Sequence, residues 1–342
     1  MRAQILEKNV SLKECQAPLK EVEIADPVPQ SHEILIRVLT CGVCHTELDE
    51  IEGRTPPSEF PMVLGHQVVG KIIAMGSGCA IFKPGQRVGV GWFYSSCGQC
   101  EFCKAGLENL CANYRATGQD AFGGYAEKIT VPETSAFLIP DIFSDAEAAP
   151  LLCAGAIGYR SLNLCHLKDG QVLGLTGFGA SGHLVLKMAR YQFPNSPIQV
   201  FARSKQEQAF ALELGAVWAG DTCDKSKFTN HAIIDTTPVW KPVVEALTQL
   251  RPGGRLVINA IRKESMDQDC LLKLNYPDHL WMEKEIKSVA NVAPGDIRGF
   301  LELAAKIPIK PEIELYPFSK ANQALLDLKE GKIRGAKVLQ IS

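Results

Sequence analysis

Residues 171–192 read QVLGLTGFGASGHLVLKMARYQ, and this stretch decides the fold of the surrounding chain. Its apolar start predicts a strand, Gly177, Gly179 and Gly182 form a G-x-G-x-x-G turn, and the residues from Ala180 onward have helical spacing. In such a turn the first glycine permits a sharp bend, the second lets the backbone approach a pyrophosphate, and the third lets the helix pack on the strand. The pattern predicts a dinucleotide site, with a purely structural glycine-rich turn as the alternative.

Strand and helix patterns continue to alternate after this turn. The predicted elements are Ile198–Ala202, Lys205–Leu214, Ala232–Thr236, Val239–Leu250, Arg255–Ala260 and Ile286–Ala290. Such alternation is typical of βαβ units that build a doubly wound parallel sheet of the Rossmann type, an α/β fold. From Ile34 to Val90, in contrast, short β-branched runs separated by Gly and Pro predict an irregular β-rich domain.

The residues after the second predicted strand concern the choice of nicotinamide cofactor. An acidic residue about twenty positions beyond the glycines would hold the ribose 2′-hydroxyl of NAD. The chain instead provides no carboxylate there and supplies cations that would bind a 2′-phosphate. NADP(H) is therefore predicted over NAD(H), and the predicted coenzyme contacts are Gly177, Phe178, Gly179, Ala180, Gly182, Ala202, Arg203, Ser204 and Lys205. The alternative is an NAD enzyme with a solvated Arg and Lys at a helix start.

Four of the twelve cysteines crowd into fifteen residues. Cys97, Cys100 and Cys103 are separated by two residues each, and Cys111 follows after seven more. Four thiolates in one short lobe, covering about residues 92–114, form the closed donor set of a structural zinc. An iron–sulfur cluster is the alternative, although the spacing before the last cysteine fits ferredoxin patterns poorly.

Several motifs together resemble those of the zinc-dependent medium-chain alcohol dehydrogenases, and the likeness covers essentially the whole chain. They are Cys41-Gly-Val-Cys44-His45-Thr46-Glu47, Gly65-His66, the four-cysteine lobe, Leu152-Cys153-Ala154-Gly155 and TGFGASG, in the order and spacing of that family. The chain looks closest to the branch near the cinnamyl alcohol dehydrogenases. The resemblance implies hydride transfer between a primary alcohol or aldehyde and a nicotinamide cofactor.

The resemblance further implies a catalytic zinc held by Cys44, His66 and Cys153, with Cys41 not a ligand. Two thiolates and one neutral imidazole would cancel the two positive charges of the metal and leave its fourth position open. Such a zinc lowers the pKa of a bound alcohol. With the four-cysteine lobe, about two zinc ions per chain are expected.

Roles for the neighbours of these ligands are also implied by the resemblance. Thr46 would pass the alcohol proton outward, and Glu47 would orient His66 or the metal. Asp49 stands where the family often has a histidine that ends the proton relay, and Gln67 stands where it usually has a glutamate. These departures leave the rate and the pH profile open.

The same resemblance places three more residues near the coenzyme or the substrate. His45 and Arg334 would lie near the coenzyme phosphates, and Trp92 would line the substrate pocket. A solvated surface position is the alternative for Arg334, and a role as core filler is the alternative for Trp92.

The change of pattern near Pro150 and Pro294, together with the resemblance, predicts two domains. Residues 1–149 and 294–342 would form a GroES-like β-rich catalytic domain, and residues 150–293 would form the Rossmann domain inserted between them.

Composition excludes several other functions. A formal charge of −2 without a Lys/Arg run argues against nucleic acid, and no apolar stretch is long enough for a membrane span. A cytoplasmic homodimer or homotetramer acting on a small alcohol or aldehyde is expected. The competing hypotheses are a zinc-free quinone or enoyl reductase that uses NADPH, and a catalytically silent, zinc-stabilised redox-sensing protein.

Overall fold

A computed structural model describes residues 1–307, 309–331 and 335–342, apart from the side chain of Ala180. The predicted coenzyme contact Arg334 lies outside the described residues. Contacts between residues divide the chain into two compact units. The first unit comprises Met1–Cys153 and Val292–Ser342, and the second comprises Ala154–Asn291.

The strands are numbered in chain order. They are β1 (Arg2–Leu6), β2 (Leu19–Glu23), β3 (Glu33–Val43), β4 (Met62–Val63), β5 (Val68–Met75), β6 (Arg87–Val90), β7 (Phe93–Ser95), β8 (Arg115–Ala116), β9 (Lys128–Pro132), β10 (Ala136–Leu138), β11 (Leu173–Thr176), β12 (Ile198–Phe201), β13 (Trp218–Gly220), β14 (Asn230–Asp235), β15 (Leu250–Ile258), β16 (Glu285–Ser288), β17 (Ile313–Pro317) and β18 (Ala336–Gln340). The helices are α1 (His45–Ile51), α2 (Glu101–Lys104), α3 (Asp145–Pro150), α4 (Ala156–Leu164), α5 (Ala180–Gln192), α6 (Lys205–Glu213), α7 (Lys241–Thr248), α8 (Pro294–Lys306) and α9 (Ala321–Lys329).

The first unit is built around β3, the longest strand of its main sheet. The strand order is β10-β6-β5-β3-β18-β17, with β9 also paired to β3. Ile34, Ile36 and Val38 alternate along β3 and are fully buried, as expected for a strand with one face on the core. The C-terminal strand β18 pairs antiparallel with β3, so the end of the chain completes the sheet of the first unit.

The second unit is a six-stranded parallel sheet in the order β13-β12-β11-β14-β15-β16. All four residues of the central strand β11 are buried, as in a parallel sheet covered on both faces. The predicted α/β fold with a Rossmann sheet and a separate β-rich domain is confirmed. Within the described residues, no helix is long and apolar enough to span a membrane.

Strand β15 differs from its prediction. It begins at Leu250, five residues before the predicted start at Arg255, and it includes Pro252, Gly253 and Gly254. The register jumps there, because Asn230 pairs with Leu250 while Ala232 pairs with Arg255. An irregularity of this kind accommodates Pro and Gly inside a strand.

Candidate functional site

Three side chains from separate parts of the first unit converge on one point. Cys44 caps the start of α1, His66 lies between β4 and β5, and Cys153 lies on a π-helical turn, Leu151–Gly155. The Sγ atoms of Cys44 and Cys153 are 4.0 Å apart, and Nε2 of His66 is 3.3 Å from Sγ of Cys153. The ligand atoms of all three lie within 4.8 Å of one another.

These distances fit a tetrahedral zinc. With Zn–S bonds of about 2.3 Å and a Zn–N bond of about 2.0 Å, the S···S edge is about 3.8 Å and the S···N edge about 3.5 Å. Three donors leave one corner of the tetrahedron without a protein ligand, which is typical of catalytic zinc sites. Cys41 does not belong to this group, although it is only three residues from Cys44.

Glu47 holds two of these ligands in place at once. The amide of Cys44 donates to Oε2 of Glu47 at 2.8 Å, which caps the first turn of α1. Oε1 of Glu47 lies 2.6 Å from Nδ1 of His66. Nε2 is therefore the nitrogen left for a metal, as is usual when a carboxylate orients a ligating histidine. A glutamate suits this position because it is the third residue of the helix, where a capping box requires Glu or Gln.

The electrostatics of the three side chains favour a cation. The hydrogen bond with Cys153 holds the pKa of the Cys44 thiol well below its usual value, and the same contact raises the pKa of Cys153. Burial alone would lower the pKa of His66, but the charges of Glu47 and Cys44 raise it well above its usual value. The site thus stabilises negative charge on the sulfur of Cys44, and a thiolate is the form of cysteine that binds metals.

Three further residues of α1, namely His45, Thr46 and Asp49, were predicted to act near the metal or the coenzyme. Oγ1 of Thr46 lies 3.6 Å from Sγ of Cys44, and the threonine is buried. Asp49 is also buried, and its carboxylate is paired with the guanidinium of Arg54 at 2.5 Å. His45 is exposed on the first turn of α1.

Trp92 lies directly against a metal ligand. Its ring meets the imidazole of His66 edge to face, with the ring centroids 4.8 Å apart, and both side chains are buried. A bulky side chain here restricts the movement of His66 and excludes water from one side of it.

Glu50 is a buried carboxyl group that the motifs did not reveal. Neither of its oxygens has a hydrogen-bond partner among the described residues. Burial, followed by the charge of Glu47, raises the pKa of Glu50 well above its usual value. The signal that could have found it is its spacing, since residues 47 and 50 share one face of α1.

The four-cysteine lobe forms the second metal site. Sγ of Cys103 is 3.8 Å from that of Cys97 and 3.5 Å from that of Cys100, and with Cys111 all four sulfurs lie within 4.8 Å of one another. Backbone amides of Gln99 and Cys100 lower the pKa of Cys97 to about 6. The donor set and its spacing fit a closed tetrahedral zinc site. All twelve cysteines are described, and none forms a disulfide.

The glycine turn of the second unit has the geometry expected at the start of a Rossmann helix. Gly177 has a positive φ of 79°, and a Cβ there would lie 2.7 Å from Oγ1 of Thr236. A Cβ on Gly182 would lie 2.8 Å from the carbonyl oxygen of Gly177, whereas a Cβ on Gly179 would meet nothing within 4 Å. The open side of the turn is therefore at Gly179. Phe178 is buried against Phe210, so only its backbone is available to a ligand.

The polar side chains that follow β12 differ in whether they already have a hydrogen-bond partner within the chain. Ser204 caps α6 by accepting from the amide of Glu207, and the ammonium of Lys205 donates to Gln208 at 3.0 Å. Ala202 is buried. The exposed guanidinium of Arg203 has no hydrogen-bond or ion-pair partner in the part of the chain that the structure describes. Arg203 is therefore the cation best placed to bind a ligand at this end of the sheet.

A buried ion pair at the same end of the sheet was not expected from the sequence. The ammonium of Lys263 contacts the carboxylate of Asp235, the last residue of β14, and both side chains are buried. Lys263 also donates to the carbonyls of Thr237 and Val239, and the hydroxyl of Thr176 donates to Asp235 at 2.6 Å. The pair fixes the loop after β15 to the ends of β11 and β14.

Comparison with known proteins gives consistent matches. Residues 30–141 match the family described as the alcohol dehydrogenase GroES-like domain. The chain is 42% identical over 329 residues to a protein of Mycobacterium tuberculosis (strain CDC 1551 / Oshkosh) named probable alcohol dehydrogenase AdhA, with 95% of this chain and 93% of the relative covered. A cinnamyl alcohol dehydrogenase of Sorghum bicolor has a TM-score of 0.84 at 26% identity, covering 99% and 97% of the two chains. A solved structure described as an NAD-dependent alcohol dehydrogenase has a TM-score of 0.88 at 22% identity over 100% of both chains, which shows a shared fold.

Proposed function

Because the chain belongs to the zinc-type medium-chain alcohol dehydrogenase family, we propose that it transfers a hydride between a primary alcohol or aldehyde and NADP(H). Alcohol dehydrogenase activity and two zinc sites follow from family membership and from the two donor clusters. The convergence of Cys44, His66 and Cys153 carries the proposal, since a zinc-free reductase has no use for these three ligands. A silent zinc-stabilised protein has no use for an open catalytic site.

The roles of the residues around this zinc are part of the proposal. Cys44, His66 and Cys153 hold the metal, which when bound supplies a Lewis acid that lowers the pKa of an alcohol. Glu47 fixes the imidazole of His66 through Nδ1, and Trp92 packs on its ring. Thr46, beside Cys44, would relay the proton of the alcohol, its hydroxyl accepting that proton while it gives its own to the next acceptor.

We propose that the proton leaves the site past Asp49, which lies on α1 three residues after Thr46. Its carboxylate is paired with the guanidinium of Arg54 at 2.5 Å, which fixes its position at this point of α1. His45 and Arg334 are proposed to lie near the coenzyme phosphates. A cytoplasmic location is part of the same proposal.

Preference for NADP(H) rests on the end of β12. A carboxylate that would hold the ribose hydroxyls is absent among residues 202–205, and Arg203 offers an unpaired guanidinium there. The glycine turn provides the pyrophosphate end of the same site, with Gly179 and the start of α5 as its open side. Ser204 contributes its backbone, because its hydroxyl is occupied by the helix cap.

Replacing Arg203 by Ala is expected to raise the KM for NADPH at least tenfold and to leave the KM for NADH nearly unchanged. A charge-assisted contact with the 2′-phosphate is worth roughly 1.5 to 3 kcal/mol, and about 1.4 kcal/mol is a tenfold change. Steady-state kinetics with both coenzymes measures the effect. Lys225→Ala, which removes an exposed cation elsewhere in the second unit, is the control. A wild-type enzyme that prefers NADH would contradict the proposal.

We also propose that the enzyme is a homodimer or homotetramer that assembles through the edge strand β16. All four residues of β16 are exposed at the end of the sheet, which leaves one row of its backbone groups unpaired. Large apolar side chains surround this edge, with Trp281 54% and Ile286 48% exposed. Exposed apolar surface beside an unpaired edge is a typical site of subunit contact.

Placing a charge on this edge is therefore expected to break the assembly. Ile286→Lys should shift the sedimentation coefficient to that of a smaller species, because a lysine on an edge strand opposes pairing with a second copy. Leu138→Lys, at an equally exposed leucine of β10 in the first unit, should leave the assembly unchanged. If the wild type sediments as a monomer, the interface does not exist.

A further inference from the structure

A polar cavity of about 290 Å³ lies in the second unit, away from the coenzyme turn. Its lining includes His166, His231, Arg251, Arg255 and Glu285. The last four belong to the parallel strands β14, β15 and β16 and lie toward their amino ends. The glycine turn follows the carboxyl end of β11, so the two sites are at opposite edges of one sheet.

The cavity carries excess positive charge. The guanidinium of Arg255 is neutralised by Glu285, to which it donates from Nε at 3.0 Å and from Nη2 at 2.7 Å. Arg251, in contrast, has no carboxylate within ion-pair distance among the residues that the structure describes. One guanidinium charge therefore lacks a partner of opposite sign.

The side chain nearest to Arg251 presents a second donor. The amide of Val172 donates to Nδ1 of His231 at 3.0 Å and has no other acceptor in the described part of the chain. Nδ1 must therefore be the unprotonated nitrogen, and the proton of the neutral ring is on Nε2. Burial, followed by the charge of Arg251, lowers the pKa of His231, which keeps the ring neutral.

Arg251 also points a donor at this ring, since its Nη1 lies 2.6 Å from Nε2 of His231. A neutral imidazole has only one acceptor nitrogen, so it cannot accept from both Val172 and Arg251. An additional acceptor beside the ring could accept from Nε2–H of His231 and from Arg251. The group around His231 therefore has one donor more than it has acceptors.

His166 supplies a third N–H donor that lacks an acceptor. Nη1 of Arg255 donates to Nδ1 of His166 at 3.0 Å, which again leaves the proton on Nε2 of the imidazole. Among the described residues, this Nε2 has no acceptor. His166 reaches this place because it follows the C-cap of α4 with a positive φ of 49°, a conformation that His adopts more readily than most residues.

We propose that the cavity binds a phosphate group, held by Arg251 and by the Nε2–H groups of His231 and His166. A phosphate offers several acceptor oxygens and no obligatory donor, and it suits donors that come from separate elements. A planar carboxylate offers acceptors in one plane only. The lining contains no Phe, Tyr or Trp, so nothing is provided for the stacking of a nucleobase. The ligand is therefore inorganic phosphate or a small phosphate monoester.

Calorimetric titration of the zinc-loaded enzyme with inorganic phosphate, in a buffer without phosphate, tests the proposal. The wild type should bind one phosphate per chain in a saturable manner, and Arg251→Gln should weaken binding at least about tenfold, the effect of losing one charge-assisted hydrogen bond. Arg251 is exposed, so this variant should fold normally. Lys225→Gln removes one exposed cation from the second unit without altering the cavity lining and should bind as the wild type does.

A further variant separates this cavity from the coenzyme site. Arg203→Gln should leave phosphate binding unchanged, and a loss in this variant alone would place the phosphate at the coenzyme site and overturn the proposal. Absence of saturable binding, or equal losses in all three variants, would overturn it too. A parallel titration with glycerol 3-phosphate distinguishes the source of the group. Tighter binding of the monoester indicates a phosphorylated metabolite, and equal binding indicates free phosphate.

Discussion

Replacing Cys44 by Ser is expected to abolish alcohol oxidation and to remove one zinc per chain while the fold survives. A serine hydroxyl stays protonated and binds zinc poorly, so the catalytic site loses one of its three protein ligands. The Lewis acid supplies several kcal/mol of charge stabilisation, and each 1.36 kcal/mol is worth about tenfold in rate. The activity should therefore fall roughly a thousandfold or more. The cap of α1 remains, because Glu47 accepts from the backbone amide of residue 44.

Elemental analysis, circular dichroism and steady-state kinetics together measure these effects. Cys41→Ala is the matched control, since Cys41 is buried close by and does not belong to the metal-binding group. This control should retain both zinc ions and most of the activity. Full activity in the Cys44 variant, or loss of zinc in the control, would show that the ligands have been assigned to the wrong residues.

Sequence reasoning predicted the features that depend on local spacing. The four-cysteine lobe and the glycine turn each lie within about twenty residues, so their geometry is largely set by the short segment that contains them. The catalytic ligands are different, because Cys44 and Cys153 are separated by 109 positions and meet only through the fold. Their grouping was available from the family resemblance and from no spacing rule.

Features that depend on tertiary environment were not predicted. In the sequence Glu50 is one more charged residue of a short helix, and only the fold shows that it is buried and that burial raises the pKa of its carboxyl group. The pairing of Lys263 with Asp235 joins the loop after β15 to the end of β14, two segments that have no pattern in common. Likewise, the start of β15 at Leu250 and not at the predicted Arg255 depends on its pairing with β14, which the local sequence does not reveal.

Replacing Cys100 by Ser is expected to have a different effect, because the lobe is held by its metal and hardly by a core. Neither α2 nor the short helical turn Glu108–Leu110 contains a buried residue, and Phe102 and Leu110 are 37% and 41% exposed. In such a segment metal binding and folding are coupled, so loss of one thiolate should release the structural zinc and unfold the lobe locally.

The expected result is cleavage within residues 97–111 at least about tenfold faster than in the wild type, since proteolysis follows the population of the open form. One zinc per chain should remain, at Cys44, His66 and Cys153. Limited proteolysis with mass spectrometry, and zinc analysis of the intact variant, measure both. Cys15→Ser, outside both metal clusters, is the control and should behave as the wild type does. A Cys100 variant that keeps two zinc ions and the protease resistance of the wild type would mean that packing, and not the metal, holds the lobe together.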